Sequence, residues 1–131
     1  MTKKVLIIDD DSKNIFALSA TLKAKGIVTA SATNAADGIQ LLHEDESITV
    51  ILMDMMMPEM DGYDAIRQIR KRAQWKNLPV IAVTAKAMTG DREKCIEAGA
   101  SDYISKPVDT DQLISLLRIW LYENDYRQNH A

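Results

Sequence analysis

Short β-branched runs alternate along this chain with longer segments of helical spacing. The runs at 5–8, 27–31, 50–53 and 80–83 predict strands, and 103–104 predicts a fifth, less marked one. Val5, Leu6, Ile7 and Ile8 are apolar without alternation, as are Val50, Ile51, Leu52 and Met53, which is the pattern of strands covered on both faces. Ile15, Leu18 and Leu22 recur at helical intervals, with Gly26 as the stop. Further helices are predicted at about 35–43 with Asn34 as N-cap, at 63–72, and at 92–98 ending at Gly99. A last helix begins after Asp109 or Thr110. Its buried stripe is Leu113, Leu116, Leu117, Trp120 and Leu121, with Ile119 and Tyr122 off the stripe. Strand and helix alternate five times, which predicts an α/β fold built on a five-stranded parallel sheet with right-handed crossovers. The domain is expected to span 1–122, with the polar segment 123–131 as a frayed tail.

Composition narrows the class. The 131 residues fit one domain, with no DNA-binding or enzymatic output domain expected beside it. With 47% hydrophobic and 27% charged residues, a core forms without disulfides or a structural metal. A net charge of −3 gives no electrostatic reason to expect nucleic acid or an anionic membrane as partner. The one cysteine, Cys95, excludes an intramolecular disulfide and suits a reducing compartment. The N-terminal apolar run is four residues long before the aspartates interrupt it, too short for a signal peptide, and no segment has the length of a transmembrane helix. A cytoplasmic location is the expectation.

Ligands of such sheets bind at the carboxyl ends of the strands. There the first strand is followed by Asp9, Asp10 and Asp11, the third by Asp54, the fourth by Thr84 and Ala85, and the fifth by Lys106 and Pro107. Carboxylates gathered at one edge repel unless a cation neutralises them or one takes up a proton. The donors on offer are all oxygens, with no His or Cys nearby, which selects Mg²⁺ or Mn²⁺. Lys106 adds a fixed positive charge and Thr84 a hydroxyl donor. Metal, ammonium and hydroxyl together can hold the three oxygens of a phosphoryl group in transfer. Asp54, on the middle strand of the set, is the best nucleophile. The glycines at 26, 38, 62, 90 and 99 form no nucleotide cradle, so the phosphoryl donor is not a tightly held ATP.

These residues resemble the receiver domains of two-component signalling. The resemblance rests on the Asp9-Asp10 pair, Asp54, Thr84 and Lys106, on the run from Met53 through Met55, Met56, Met57, Pro58 and Met60 to Asp61 and Gly62, and on Ala82-Val83-Thr84-Ala85 and Ser105-Lys106-Pro107. Separations of 44, 30 and 22 residues between Asp10, Asp54, Thr84 and Lys106 are similar to the family's spacing, and the match runs from about Lys4 to Leu121. The resemblance implies a doubly wound, flavodoxin-like three-layer sandwich. It implies a phosphohistidine donor, on a histidine kinase or a histidine phosphotransfer protein, attacked by Asp54. It also implies a Mg²⁺ site in which Asp10 and Asp54 bind directly, Asp9 through water, and Met56 by its backbone carbonyl. Thr84 and Lys106 would grip the attached phosphoryl group. Thr84 would then move inward with Tyr103, altering the surface of the fourth helix, fifth strand and fifth helix that meets a downstream protein partner or a second copy of the chain. Lys106-Pro107 is where a cis bond is expected. The chain resembles receivers of hybrid kinases between Ala85 and Gly99 and in its last helix, and either a stand-alone regulator or part of such a kinase fits.

Plainer roles suit the remaining residues. Asp11 reads as the cap of the first helix and Asp61 as turn chemistry ahead of Gly62. Met53, Met55, Met56, Met57 and Met60 could suggest a copper box, but core and loop packing is the expectation, with Met56 placed to affect water access to the phosphoryl group. Cys95 is a helix residue without an activating histidine, and His43 and His130 are isolated. Arg67, Arg70, Lys71, Arg72 and Lys76 read as a solvated helix face. Two other functions compete with the switch. A haloacid-dehalogenase-type phosphatase also uses a strand-end aspartate with Mg²⁺, threonine and lysine, but the threonine after the DxD-like run Asp9–Asp11 is missing. A degenerate receiver acting as a constitutive binding module would not need the intact acceptor, threonine and lysine.

Overall fold

Five parallel strands carry the expected alternation into space. In the computed structural model, which describes residues 3–58, 60–85 and 90–130 with 123–130 as backbone alone, these are β1 (Lys4–Ile8), β2 (Val28–Ala32), β3 (Ile48–Asp54), β4 (Val80–Thr84) and β5 (Asp102–Ser105). They form one sheet in the order β2-β1-β3-β4-β5, all pairs parallel. The helices are α1 (Ser12–Ala24), α2 (Ala35–Glu44), α3 (Gly62–Arg70), α4 (Asp91–Ala98) and α5 (Thr110–His130), with one 3₁₀ turn, Ala73–Trp75, before β4. The strand order is that of a doubly wound flavodoxin-like sheet, whose direction of winding reverses between β1 and β3. Glu59, residues 86–89 within the segment from Ala85 to Gly99, and the side chain of His130 lie outside the described residues.

Two apolar layers flank the sheet. Val5 and Ile7 of β1, Val50 and Leu52 of β3 and Ile81 and Val83 of β4 pack with Leu22 of α1 and Leu113, Ile114, Leu117 and Leu121 of α5. Leu6 and Ile8, Ile51 and Met53, and Ala82 face the other way, against Ala35 and Leu42 of α2, Ala65, Ile66 and Ile69 of α3 and Cys95 of α4. The uninterrupted apolar runs of β1 and β3 thus reflect burial on both sides. Each such side chain contributes about 1.5–3 kcal/mol of transfer free energy, so these strands hold the carboxyl edge rigid.

The caps follow the sequence. Asp11, Asn34 and Asp61 cap α1, α2 and α3, accepting from the N–H groups of Lys13, Asp37 and Asp64. Gly26, at φ +79°, donates its N–H to Lys23 while Ile27 donates to Leu22, the paired bonds of a Schellman stop. That motif uses Ile27, so β2 starts one residue later than its β-branched run suggests. Strand β3 reaches from Ile48 through Asp54, longer at both ends than its central apolar run. The third helix ends at Arg70, not 72, because Lys71 and Arg72 lead into the 3₁₀ turn. In α5, Ile114 is buried while Leu116 and Trp120 are only partly so, and Ile119 and Tyr122 are exposed, as their position off the stripe requires. The backbone of α5 continues to His130, where the sequence begins a separate polar segment at Glu123.

Arg70 departs from the expected solvated face. It is half-buried and donates to the carbonyls of Trp75, Leu78 and Gly99. Arg67 does pair at the surface with Asp64 (3.1 Å), and Arg72 lies over the Trp75 ring (5.7 Å). His43 packs edge-on against Trp75, at 4.7 Å between ring centroids. Met53, Met55 and Met57 are buried and Met60 partly so, which is packing and not a soft-metal site.

Candidate functional site

The carboxyl edge of the sheet gathers acids at the point where the winding reverses. Asp9 follows β1 directly and its N–H donates to the Ala32 carbonyl of β2 (3.1 Å). Asp54 is the last residue of β3, and Met55 continues the ladder by donating its N–H to Val83 (3.0 Å). Asp9, Asp10 and Asp54 each offer one carboxylate oxygen, and these three atoms lie within 4.8 Å of one another. Asp9 and Asp54 are each 4% exposed, whereas Asp10 is open to solvent.

One cation reaches this group from the described residues. Lys106 follows β5, and its Nζ lies 3.6 Å from Asp54 Oδ1. Its N–H donates to the Thr84 carbonyl at 2.7 Å, which ties the lysine to the end of β4, and the Lys106-Pro107 bond is cis. Thr84 itself closes β4 and is 1% exposed. Asp54 Oδ1 also accepts the Met56 N–H (3.0 Å), and Asp9 Oδ1 accepts the Asp11 N–H (2.9 Å). Burial pushes the Asp9 carboxyl above its ordinary value of 3.8, and the nearby charge of Asp54 adds to this, opposed by the Asp11 N–H and Lys106.

A single lysine against three carboxylates leaves the site electron-rich, and its donors are all oxygens. That set fits a hard divalent cation with open coordination positions and does not fit a thiolate or imidazole metal. Asp10 also lines a groove of about 350 Å³ with Thr33, Asn34, Ala35, Met57 and Pro58, so the acids are approached from solvent. Met56, 49% exposed, stands beside Asp54 with its side chain outward.

The loop after Asp54 depends on close backbone approach. A Cβ on Gly62 would meet Met55 Sδ at 2.5 Å, Met55 Cα at 2.7 Å and the Asp54 carbonyl oxygen at 2.9 Å. Gly62 also donates its N–H to the Met55 carbonyl (3.3 Å), closing the loop against the start of α3. The sequence places Gly62 after a turn residue but does not disclose that only glycine fits beneath the acceptor. The Met56 N–H bond to Asp54 is likewise invisible in a side-chain pattern, because the backbone supplies the donor.

Tyr103 is apart from the acids, in β5 and opposite Ala82 of β4. It is partly buried against the apolar layer that also holds Ile66 and Cys95. Burial raises its phenol above the ordinary value of 10.0, with a smaller contribution from Asp91 at the start of α4. The structure therefore brings Asp9, Asp10, Asp54 and Lys106 together, sets Thr84 at the same edge, and sets Tyr103 in β5 against the apolar layer that includes Cys95 of α4.

Comparison with known proteins matches this arrangement. Residues 5–118 match the family model described as the response regulator receiver domain. The chain is 36% identical over 114 residues to Protein PilH of Pseudomonas aeruginosa, covering 87% of this chain and 93% of that protein. It is 38% identical over 115 residues to the sensor histidine kinase CheAY of Helicobacter pylori, but spans 14% of that protein's length. Among solved structures, the receiver domain of sensor histidine kinase PA1611 from Pseudomonas aeruginosa superimposes with a TM-score of 0.82 at 32% identity, covering 92% of this chain and 98% of that one. That structure has a magnesium ion coordinated in its active site cleft. With the sheet order, the gathered aspartates and these matches in agreement, the chain belongs to the response regulator receiver domains of two-component systems.

Proposed function

We propose that this receiver takes a phosphoryl group from a phosphohistidine donor onto Asp54. The observation that carries it is the meeting of three carboxylates from two strand ends with Lys106 against the Asp54 carboxylate. An Asp54 oxygen attacks phosphorus, the P–N bond breaks, and the donor's imidazole leaves with the bonding pair. Lys106, already beside Asp54 Oδ1, moves its charge onto a phosphoryl oxygen as the negative charge spreads. Thr84 donates its hydroxyl to a second oxygen. The Met56 N–H holds Asp54 Oδ1 in place during the approach. Asp10 and Asp54 directly, Asp9 through water, and the Met56 carbonyl would hold Mg²⁺ or Mn²⁺, which supplies charge neutralisation for the incoming phosphoryl group.

The attached phosphoryl group then favours a conformer in which Thr84 and Tyr103 shift together and the α4–β5–α5 face changes. Exposed Ile96, Ile119 and Tyr122 on α4 and α5 supply apolar contact area there for a protein partner or a second copy of the chain. The donor is a histidine kinase or histidine phosphotransfer protein, and phosphoaspartate hydrolysis at the same site resets the switch, so the module catalyses its own modification without a separate substrate. Residues 1–122 are taken as the working unit with the polar segment 123–131 outside it, and Leu121 is the last buried residue of α5 among the described side chains. A cytoplasmic setting suits a phosphohistidine donor, and no helix among the described residues is long and apolar enough to cross a membrane.

Incubation with acetyl phosphate and Mg²⁺ tests this. The receiver reading expects one acid-stable, base-labile acyl phosphate per chain, dependent on the divalent ion. Steady release of phosphate from phosphomonoesters without a retained label would support the phosphatase alternative instead, and no label at all would support a constitutive binding module.

A further inference from the structure

The acceptor carboxylate also holds the chain that follows it. Asp54 Oδ1 accepts the Met56 N–H at 3.0 Å, a charge-assisted bond while the carboxyl is ionised. Once either oxygen is bonded to phosphorus, neither keeps a carboxylate's share of negative charge, and a bond of this kind falls to about half its strength. Phosphorylation therefore acts at once on the backbone just past β3.

That backbone is the seat of α3. Gly62, the first residue of the helix, donates its N–H to the Met55 carbonyl (3.3 Å). A Cβ on Gly62 would lie 2.5 Å from Met55 Sδ and 2.9 Å from the Asp54 carbonyl oxygen. Packing this close passes a displacement on, because there is no free space to absorb it. The next residue, Tyr63, is partly buried against the apolar layer that holds Cys95 of α4. Its hydroxyl is hydrogen-bonded to the Cys95 thiol, and Lys94 Nζ lies 5.7 Å from its ring centroid.

The last residue of α3, Arg70, fixes the other end of the helix. Its Nη1 donates to the carbonyls of Trp75 (2.8 Å) and Leu78 (2.6 Å), which lead into β4. Its Nε donates to the carbonyl of Gly99 (2.9 Å), the C-cap of α4. A Cβ on Gly99 (φ +116°) would meet Arg70 Cγ at 2.8 Å and Ile66 Cγ2 at 3.2 Å. Helix α3 thus rests on the acceptor with its first residue, is pinned at its last, and touches α4 near both ends.

We infer that Tyr63 is a positioning residue for α4: loss of carboxylate charge at Asp54 releases Met56, α3 tilts about its pinned end, and Tyr63 passes the shift to Cys95 and Lys94. This rests on the receiver function proposed above. It gives the outer face a route through α3 in addition to the one through Thr84 and Tyr103. The chemical event and the helix are joined by close contacts at every step, which is what a mechanical coupling needs.

Amide NMR on the intact chain, with Mg²⁺ and with or without beryllium fluoride, tests the route. In the unaltered chain the amides of Met56, Gly62, Tyr63, Cys95 and Ile96 should all shift. Tyr63→Leu removes the ring and the hydroxyl. It should still label at Asp54 with acetyl phosphate and keep the Met56 response, while the responses at Cys95 and Ile96 fall by about two-fold or more. A merely structural role for Tyr63 would leave those responses in place in a folded chain, and that result would overturn the route. So would an unaltered chain that labels but whose Gly62 and Tyr63 amides stay silent, whether or not Tyr63→Leu folds. An unaltered chain that neither binds beryllium fluoride nor labels removes the receiver function itself, and the route with it.

Discussion

Replacing Asp9 with asparagine removes one charge from the carboxylate group and keeps an oxygen to accept from the Asp11 N–H. Asp9 is 4% exposed, and its oxygen lies within 4.8 Å of those from Asp10 and Asp54. Two like charges at such a distance repel by about 3 kcal/mol at an effective permittivity near 20. Lys106, 3.6 Å from Asp54, offsets part of this, so Asp9→Asn should stabilise the metal-free protein by about 1–3 kcal/mol. For a domain of this size that raises Tm by roughly 4–12 °C. Burial, and then the charge of Asp54, hold the folded Asp9 carboxyl above its ordinary 3.8, so the folded state binds the proton more tightly than the unfolded chain. The stability contributed by that proton is full below 3.8 and is lost as pH rises through the folded value. The gain from Asp9→Asn should therefore be largest near neutral pH and shrink below about pH 4. Thermal unfolding followed by circular dichroism, in chelator and in Mg²⁺, reads both effects. Mg²⁺ should raise the Tm of the unaltered chain and narrow the gap. Equal Tm values at neutral pH in chelator, or a gap that does not vary with pH, would refute the reasoning.

Gly62→Ala drives a methyl into Met55 and the Asp54 carbonyl oxygen; the expected cost is about 1–3 kcal/mol, seen in denaturant titration, with slower labelling by acetyl phosphate because the acceptor loop shifts. Hydrogen bonds from Lys4 and Ser47 hold the Asp45 carboxyl down to about 2. Its contribution to stability is present above the ordinary 3.8 and is lost as pH falls toward about 2, so Lys4→Met should flatten the acid limb of a stability profile measured by urea unfolding. Asp61→Ala removes the cap that accepts from the Asp64 N–H and should cost about 1 kcal/mol in the same measurement, with Asp61→Asn costing much less.

The sequence discloses most of the sheet because burial on both faces writes itself as uninterrupted apolar runs, as in β1 and β3. It also discloses the acids, since a strand end followed by aspartate is legible wherever the strand is. What it hides has a common cause: the partner is backbone, or lies far along the chain. The solvated look of Arg70 comes from its charged neighbours, while its acceptors are carbonyls up to 29 residues away. The Met56 N–H on Asp54 and the contact that forbids a side chain at Gly62 leave no mark in residue pattern. Ile114 falls between two stripe positions and is buried in the apolar layer that α5 shares with β1 and β3, a width that periodicity alone does not set.

Borohydride reduction of the chain after phosphorylation reads the acceptor itself, since an aspartyl phosphate is reduced to homoserine while an unmodified carboxylate is not. Peptide mass spectrometry should find homoserine at position 54, in the presence of Mg²⁺ and in no other peptide, and Asp54→Asn should abolish it. Homoserine at position 9 or 10, or phosphorylation that persists undiminished in Asp54→Asn, would contradict the assignment of Asp54 as the residue on which the switch is thrown.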